Sequence, residues 1–155
     1  MVAADSWLLV EPGDSAYVEV KAPALLTRAF LVTNTSQKSR EVLEEVLLPE
    51  GWQLIARDSS FSLEPAQSDL RLLGISVPAR IPPGSYRLTY VIKDRTATEI
   101  RAQCETEVVI LPVAELNITA SMVPARILAG EDYSALFRIE HHGNTPTLLA
   151  INTRN

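Results

Sequence analysis

The sequence predicts an all-β fold of the sandwich type, followed by the opening strands of a second unit of the same type. Short runs of apolar or alternating residues are separated by turn residues about every eight to twelve positions, which is the pattern of a β-sandwich. Only one segment, residues 40–48, has an apolar spacing that would also suit a helix. Part of the sequence recurs at a distance close to the size of one sandwich domain.

Composition narrows the class of protein. Of the 155 residues, 46% are hydrophobic and 21% are charged, as in a globular domain that can bury a core without a metal or a disulfide. The 14 basic residues are scattered among 19 acidic ones and the net charge is −5, so we predict that nucleic acid is not a partner. The single cysteine, Cys104, excludes an intrachain disulfide.

The predicted strands follow one another with turn residues between them. In the strand over residues 70–77, alternation should place Leu73, Ile75 and Val77 on one face. The predicted strands cover residues 7–10, 16–21, 26–34, 40–48, 52–56, 61–64, 70–77, 86–92 and 98–111.

Residues 40–48 allow two interpretations. Their apolar residues recur at helical spacing, and glutamate and leucine favour helix. As a strand, the same run would place Glu44 and Glu45 on opposite faces. We favour the strand because the neighbouring segments are strands and because Pro49 and Gly51 end the run early.

The segment 81–92 carries the most specific structural signal. Pro83 and Gly84 form a tight turn, after which Tyr86, Leu88, Tyr90 and Ile92 alternate onto one face of a strand. Sandwiches place a tyrosine corner at the start of the penultimate strand, where the tyrosine hydroxyl bonds to the backbone. We therefore predict structural roles for Pro83, Gly84 and Tyr86.

An internal repeat divides the chain. Residues 30–34 match residues 137–141, and Phe30 aligns with Phe137, 107 positions further along. This spacing predicts one immunoglobulin-like Greek-key sandwich over residues 1–111 and the first strands of a truncated second repeat over residues 112–155, with structural roles for Phe30 and Phe137. A partial sandwich exposes an apolar face and unpaired edges, so we expect other domains of the same polypeptide, a partner chain or self-association to cover it.

Several motifs resemble a known family. They are the strand that ends at Asn34, the run Val-Leu-Leu-Pro-Glu-Gly-Trp over residues 46–52, Val77-Pro78, and Pro-Gly-Ser-Tyr over residues 83–86. Together they resemble the bacterial immunoglobulin-like domains associated with novel putative carbohydrate-binding modules (NPCBM-associated domains). The resemblance covers about residues 5–111, and its first third again over residues 113–155, where His-His-Gly-Asn at 141–144 departs from the more usual Asn-x-Gly. It implies an extracytoplasmic, multidomain bacterial protein, and no catalytic residues.

Two tryptophans are candidates for ligand contact. Aromatic rings can stack on sugars, and Trp52 is the weak candidate for a ligand-binding residue, with Trp7 behind it. A tryptophan in a sandwich more often packs in the core or at a strand edge, so we also assign Trp52 a structural role.

Acid pairs could in principle serve glycoside hydrolysis, which needs two carboxylates at a fixed separation. The densest pairs are Glu44 with Glu45 and Glu105 with Glu107. We expect each to lie on a solvated strand face, so we predict no catalytic residue.

Metal and thiol chemistry are also weakly supported. Neighbouring strand residues such as His141 and His142 point to opposite faces and do not share one ion, and no third histidine exists. Cys104 lacks the cationic surroundings of a reactive thiol. We predict no metal site and no cofactor.

The function that fits these observations is that of a non-catalytic structural or protein-interaction module. It would act as a spacer, stalk or presenting domain in a larger surface or periplasmic bacterial protein, with the signal or anchor outside this sequence. The expected partners are other domains of the same polypeptide, and a protein or a glycan. The alternatives are a carbohydrate-binding module and a pilus-assembly component that uses strand exchange.

Overall fold

The computed structural model describes residues 7–55, 59–96 and 99–152, and within them it contains eleven β-strands and no helix. The all-β sandwich prediction is confirmed. The strands are β1 Leu8–Pro12, β2 Tyr17–Val20, β3 Ala24–Asn34, β4 Arg40–Leu47, β5 Gln53–Leu54, β6 Ser60–Leu63, β7 Ser68–Val77, β8 Gly84–Asp94, β9 Ile100–Ile110, β10 Leu116–Met122 and β11 Leu136–His141.

The first nine strands form two sheets. One sheet has the order β1-β3-β7-β5 and the other the order β2-β9-β8-β4-β6. The ambiguous segment 40–48 is a strand, because β4 pairs antiparallel with both β6 and β8. The strand predicted over 52–56 is shorter than expected: β5 has two residues, and Ala56 lies outside the described residues. The last strand of the sandwich begins at Ile100, and Thr98 also lies outside the described residues.

The core lies between the two sheets and follows the predicted alternation. Leu73, Ile75 and Val77 of β7 are buried, as are Leu88, Tyr90 and Ile92 of β8. Their neighbours in the core from other strands include Val10, Leu26, Phe30, Val32, Val42, Leu63, Val108 and Ile110.

The chain crosses from one sheet to the other between β1 and β2. β1 pairs antiparallel with β3, whereas β2 pairs in parallel with β9 in the opposite sheet. The crossover is fixed by Arg28, which is 3% exposed and forms an ion pair with Asp14 at 3.0 Å while donating a hydrogen bond to the carbonyl oxygen of Ser15.

The last two strands form a separate two-stranded sheet. β10 and β11 pair antiparallel, with Leu116 opposite His141, as Leu8 lies opposite Asn34 in the β1–β3 pair. The backbone amide of His142 donates to the carbonyl oxygen of Glu115 at 2.9 Å. No described part of the chain forms a helix long and apolar enough to cross a membrane.

Candidate functional site

The most elaborate polar arrangement is a cluster between the two sheets, here called the Glu44 cluster, made of Glu44, Ser59, Arg71 and Tyr90. Glu44 of β4 is 4% exposed and points into the sandwich. Arg71 of β7 reaches it from the opposite sheet with two hydrogen bonds, from Nη2 to Oε1 at 2.9 Å and from Nε to Oε2 at 3.2 Å. The hydroxyls of Tyr90 and Ser59 donate to the same carboxylate at 2.7 Å and 2.5 Å.

Electrostatics hold this carboxylate in its charged form. Burial opposes ionisation of Glu44, but the hydrogen bonds from Arg71, Ser59 and Tyr90, together with the charge of Arg71, outweigh burial and lower its pKa. Burial and the hydrogen bond to Glu44 raise the pKa of Tyr90, so its hydroxyl stays protonated. The hydrogen bond to Glu44 likewise raises the pKa of Arg71.

The cluster suits a structural role better than a catalytic one. A general acid or a nucleophile needs access to substrate, whereas Glu44 is enclosed and accepts four hydrogen bonds from protein groups. Arg71 also donates from Nη2 to the Ser59 hydroxyl at 2.9 Å and from Nη1 to Asp69 at 3.2 Å. The expectation that Glu44 lies on a solvated face is wrong, because these partners from both sheets stabilise its charge inside the core.

The other predicted acids do lie on the outer surface. Glu45 points away from the core and forms an ion pair with Lys93. On β9, Glu105 forms an ion pair with Arg87 at 3.4 Å, and Glu107 accepts a hydrogen bond from Ser85. The side chains of Ser85, Arg87, Glu105 and Glu107 line a surface groove, and both carboxylates there are already engaged by a neighbour.

The structure places Trp52 in the core. It is 7% exposed, and its ring lies 5.7 Å from that of Tyr86, measured between centroids. This position agrees with the structural role predicted for Trp52 and argues against a sugar-stacking role, which needs an open ring face. Trp7 is half-buried, and the Arg40 guanidinium lies 4.7 Å from its ring centroid.

The turn before β8 has the geometry of a tyrosine corner. The Tyr86 hydroxyl donates a hydrogen bond to the carbonyl oxygen of Pro82 at 2.8 Å, the backbone contact expected from the sequence. Pro83 follows within the turn, and Gly84 begins β8 with a φ of 152°, a backbone conformation that L-residues rarely adopt.

Phe30 and Phe137, which the predicted repeat aligns, lie in β3 and β11 and differ in burial. Phe30 is fully buried and stacks on Tyr90, with centroids 4.5 Å apart. Phe137 of β11 is 58% exposed.

The histidines and the cysteine show no reactive arrangement. His141 Nε2 lies 3.2 Å from the Thr147 hydroxyl, and His142 Nε2 lies 3.7 Å from a carboxylate oxygen of Glu140. No group of three or more potential metal ligands occurs within residues 7–55, 59–96 and 99–152. Burial and the charges of nearby Glu105 and Glu11 raise the pKa of Cys104, the reverse of what activates a thiol.

The segment between the sandwich and the β10–β11 sheet is bonded to the turn after β11, in part through Asn144, a residue for which the sequence predicted no role. The Asn144 side chain accepts a hydrogen bond from the Val113 amide at 2.7 Å and donates one to the Leu111 carbonyl oxygen at 3.1 Å. A Cβ at the preceding Gly143 would lie 2.2 Å from the Val113 carbonyl oxygen, so only glycine fits there.

Comparison with known proteins identifies the fold. No protein-family model matches the sequence, and no curated protein matches it significantly. A FixG-related protein from Vibrio parahaemolyticus matches with a TM-score of 0.50 and 11% identity, over 66% of this chain and 94% of that one. Native α2-macroglobulin from Escherichia coli matches with a TM-score of 0.56 and 10% identity, over 74% of this chain and 7% of that one. The fold is an immunoglobulin-like β-sandwich.

Proposed function

We propose that this chain is a non-catalytic structural or protein-interaction module, acting as a spacer, stalk or presenting domain within a larger surface or periplasmic bacterial protein. The observation that carries the proposal is the correspondence between the β10–β11 pair and the β1–β3 pair, which supports a tandem array of sandwiches. The narrower resemblance to NPCBM-associated domains stays a prediction.

The correspondence extends to the backbone beyond the strands. The Thr35 amide donates to the Trp7 carbonyl oxygen at 2.8 Å, and the His142 amide, 107 positions later, donates to the Glu115 carbonyl oxygen at 2.9 Å. The donor and the acceptor of this hydrogen bond therefore occupy equivalent positions in the β1–β3 pair and in the β10–β11 pair.

The same side of each pair is apolar. Val10 and Val32 lie opposite each other in the first pair and face the core. Ile118 and Ile139 lie opposite each other in the second pair and are 57% and 38% exposed. In a complete second sandwich this face would be covered by a sheet equivalent to β2-β9-β8-β4-β6.

The polar groups also support a passive role. The Glu44 cluster is closed within the core, and the surface acids are paired with basic or hydroxyl side chains of the same sheet. A spacer needs stability and defined joints, and the Asn144 hydrogen bonds supply a defined joint at Leu111 and Val113.

The test is to identify the parent protein in its cells. An antibody raised against this chain should detect a polypeptide much larger than 17.0 kDa in the surface or periplasmic fraction, and no band in a strain that lacks the gene. A band near 17 kDa in the cytosolic fraction would contradict both the array and the location.

The two alternatives gain less support. Burial of Trp52 removes the main residue of the carbohydrate-binding alternative, so we expect no signal on a glycan array. The strand-exchange alternative relies on the free edges of the β10–β11 sheet, to which an added strand should bind through backbone hydrogen bonds.

A further inference from the structure

The outer face of the β1-β3-β7-β5 sheet is apolar, which is unusual for a surface that faces solvent. Here we call it the leucine face. Its exposed members are Leu9 at 43%, Leu25 at 76%, Ile55 at 62%, Leu70 at 54% and Leu72 at 64%, and Leu31 lies half-buried among them.

Strand pairing shows that these residues form one surface. Outward-facing Leu31 of β3 pairs with Leu70 of β7, and Ala29 pairs with Leu72. Leu9 extends this surface across the sheet onto β1, and Leu25 extends it along β3 toward the start of that strand.

Charge distinguishes this face from the other outer face of the sandwich. Among the strand residues of the β1-β3-β7-β5 sheet, all of which the structure describes, Glu11 is the one charged side chain that points outward. It lies on the edge strand β1. The outer face of the five-stranded sheet carries Glu41, Glu45, Arg87, Lys93, Glu105 and Glu107. Depletion of charge at the centre of a surface is the compositional mark of a protein interface.

Two glycines lie beneath large side chains of the leucine face. A Cβ at Gly13 would lie 2.8 Å from Leu70 Cδ1, and a Cβ at Gly74 would lie 3.3 Å from Ile55 Cδ1. Leu70 and Ile55 therefore lie close against the glycine backbone.

We propose that the leucine face is a self-association surface, through which two copies of this chain pack sheet against sheet about a two-fold axis. Sheet faces can pack on one another, and the same patch on both copies makes a closed pair. The net charge of −5 opposes the approach of two copies, and at the leucine face they meet without opposing clusters of like charge. At one end of the face, the hydroxyls of Thr33 and Ser68 already bond to each other at 2.7 Å, so their burial leaves neither unpaired.

The size of the face predicts how strong this contact is. β1 and β5 pair at opposite ends of the β3–β7 ladder, so at most three strands lie side by side at any level of the face. Eight residue steps along β3 and three strands across give each copy a face of roughly 400 Å². Two such faces bury about 800 Å², the size of a weak, transient contact. We expect a reversible dimer with a Kd weaker than about 1 μM.

Sedimentation equilibrium of the full chain, from about 1 μM to about 1 mM, should therefore show a monomer–dimer equilibrium. Leu72→Lys should abolish it. Leu47→Lys is the matched control, because Leu47 is an exposed leucine, at 52%, on the outer face of the five-stranded sheet and the charge change is identical. Both variants should keep the thermal unfolding of the unsubstituted chain, since both positions are exposed.

A third variant separates this surface from the open β10–β11 face. Ile139→Lys places a charge on that face and should leave the dimer intact. Loss of the dimer in Ile139→Lys but not in Leu72→Lys would overturn the proposal while favouring the incomplete second sandwich. A chain that stays monomeric up to about 1 mM, or a dimer that all three variants retain, would also overturn it.

Discussion

Phe30 of β3 and Tyr90 of β8 stack across the sandwich with their ring planes 18° apart, and the hydroxyl of the same tyrosine donates to Glu44. The two residues belong to different sheets. One aromatic contact therefore joins the apolar core to the only glutamate that the described strands bury. Substitutions of Phe30 and Glu44 give the first three predictions.

Phe30→Ala should destabilise the sandwich by about 3–5 kcal/mol, because it leaves a cavity beside Tyr90. Phe137→Ala, at the position that the predicted repeat aligns with Phe30, should alter stability by less than about 0.5 kcal/mol, because Phe137 is largely exposed. Urea unfolding of the full chain followed by tryptophan fluorescence measures both. Equal losses in the two variants would show that Phe137 is covered in solution.

Glu44→Gln should reduce the free energy of unfolding by about 3 kcal/mol near neutral pH, because it removes the buried carboxylate that pairs with Arg71 and leaves the guanidinium with Asp69 alone. Glu45→Gln is the control: it breaks a more exposed ion pair with Lys93 and should cost less than about 1 kcal/mol. Denaturant titration distinguishes them. A Glu44 variant as stable as the Glu45 variant would mean that the cluster contributes nothing net.

Stability should also fall in acid. The pKa of Glu44 in the folded chain lies below its ordinary value of 4.5, so its contribution is complete above that pH and disappears as the pH falls through the folded-state pKa. Unfolding free energies measured from about pH 7 down to about pH 3 should decline less steeply in Glu44→Gln than in the unsubstituted chain. Parallel declines would contradict the assignment, and Glu45→Gln again serves as the control.

The joint at residue 113 can be tested by amide exchange. Because the Val113 amide donates to the Asn144 side chain, Asn144→Ala should speed its hydrogen exchange at least about tenfold. Asn117→Ala on exposed β10 should leave the rate unchanged. The His142 amide donates to the Glu115 carbonyl oxygen, and an unchanged exchange rate of this amide would show that the β10–β11 pairing persists in a variant. An unchanged Val113 rate in Asn144→Ala would show that the side chain does not hold the joint.

Local alternation was enough to predict the fold. Tyr86, Leu88, Tyr90 and Ile92 alternate with outward residues of which only Val91 is apolar, so the inward face of β8 could be assigned from the sequence. The Pro-Gly turn before them located the tyrosine corner for the same reason, since turn and tyrosine are adjacent in the chain.

The Glu44 cluster could not be predicted in this way. Ser59, Arg71 and Tyr90 lie 15, 27 and 46 positions away from Glu44, and only the packing of two sheets brings them together. The leucine face was hidden for another reason. β7 contains Leu70, Leu72 and Leu73, so both of its faces are apolar in the sequence, and a one-dimensional pattern does not say which leucines meet the core.

The parallel pairing of β2 with β9 has a mechanical consequence. If the two ends of the sandwich are pulled apart, the load enters through β1 and β2 and leaves through β9. Because β2 and β9 run in the same direction, this tension slides one strand along the other and loads their hydrogen bonds together. The β2–β9 pair therefore resists extension by shear and not by unzipping.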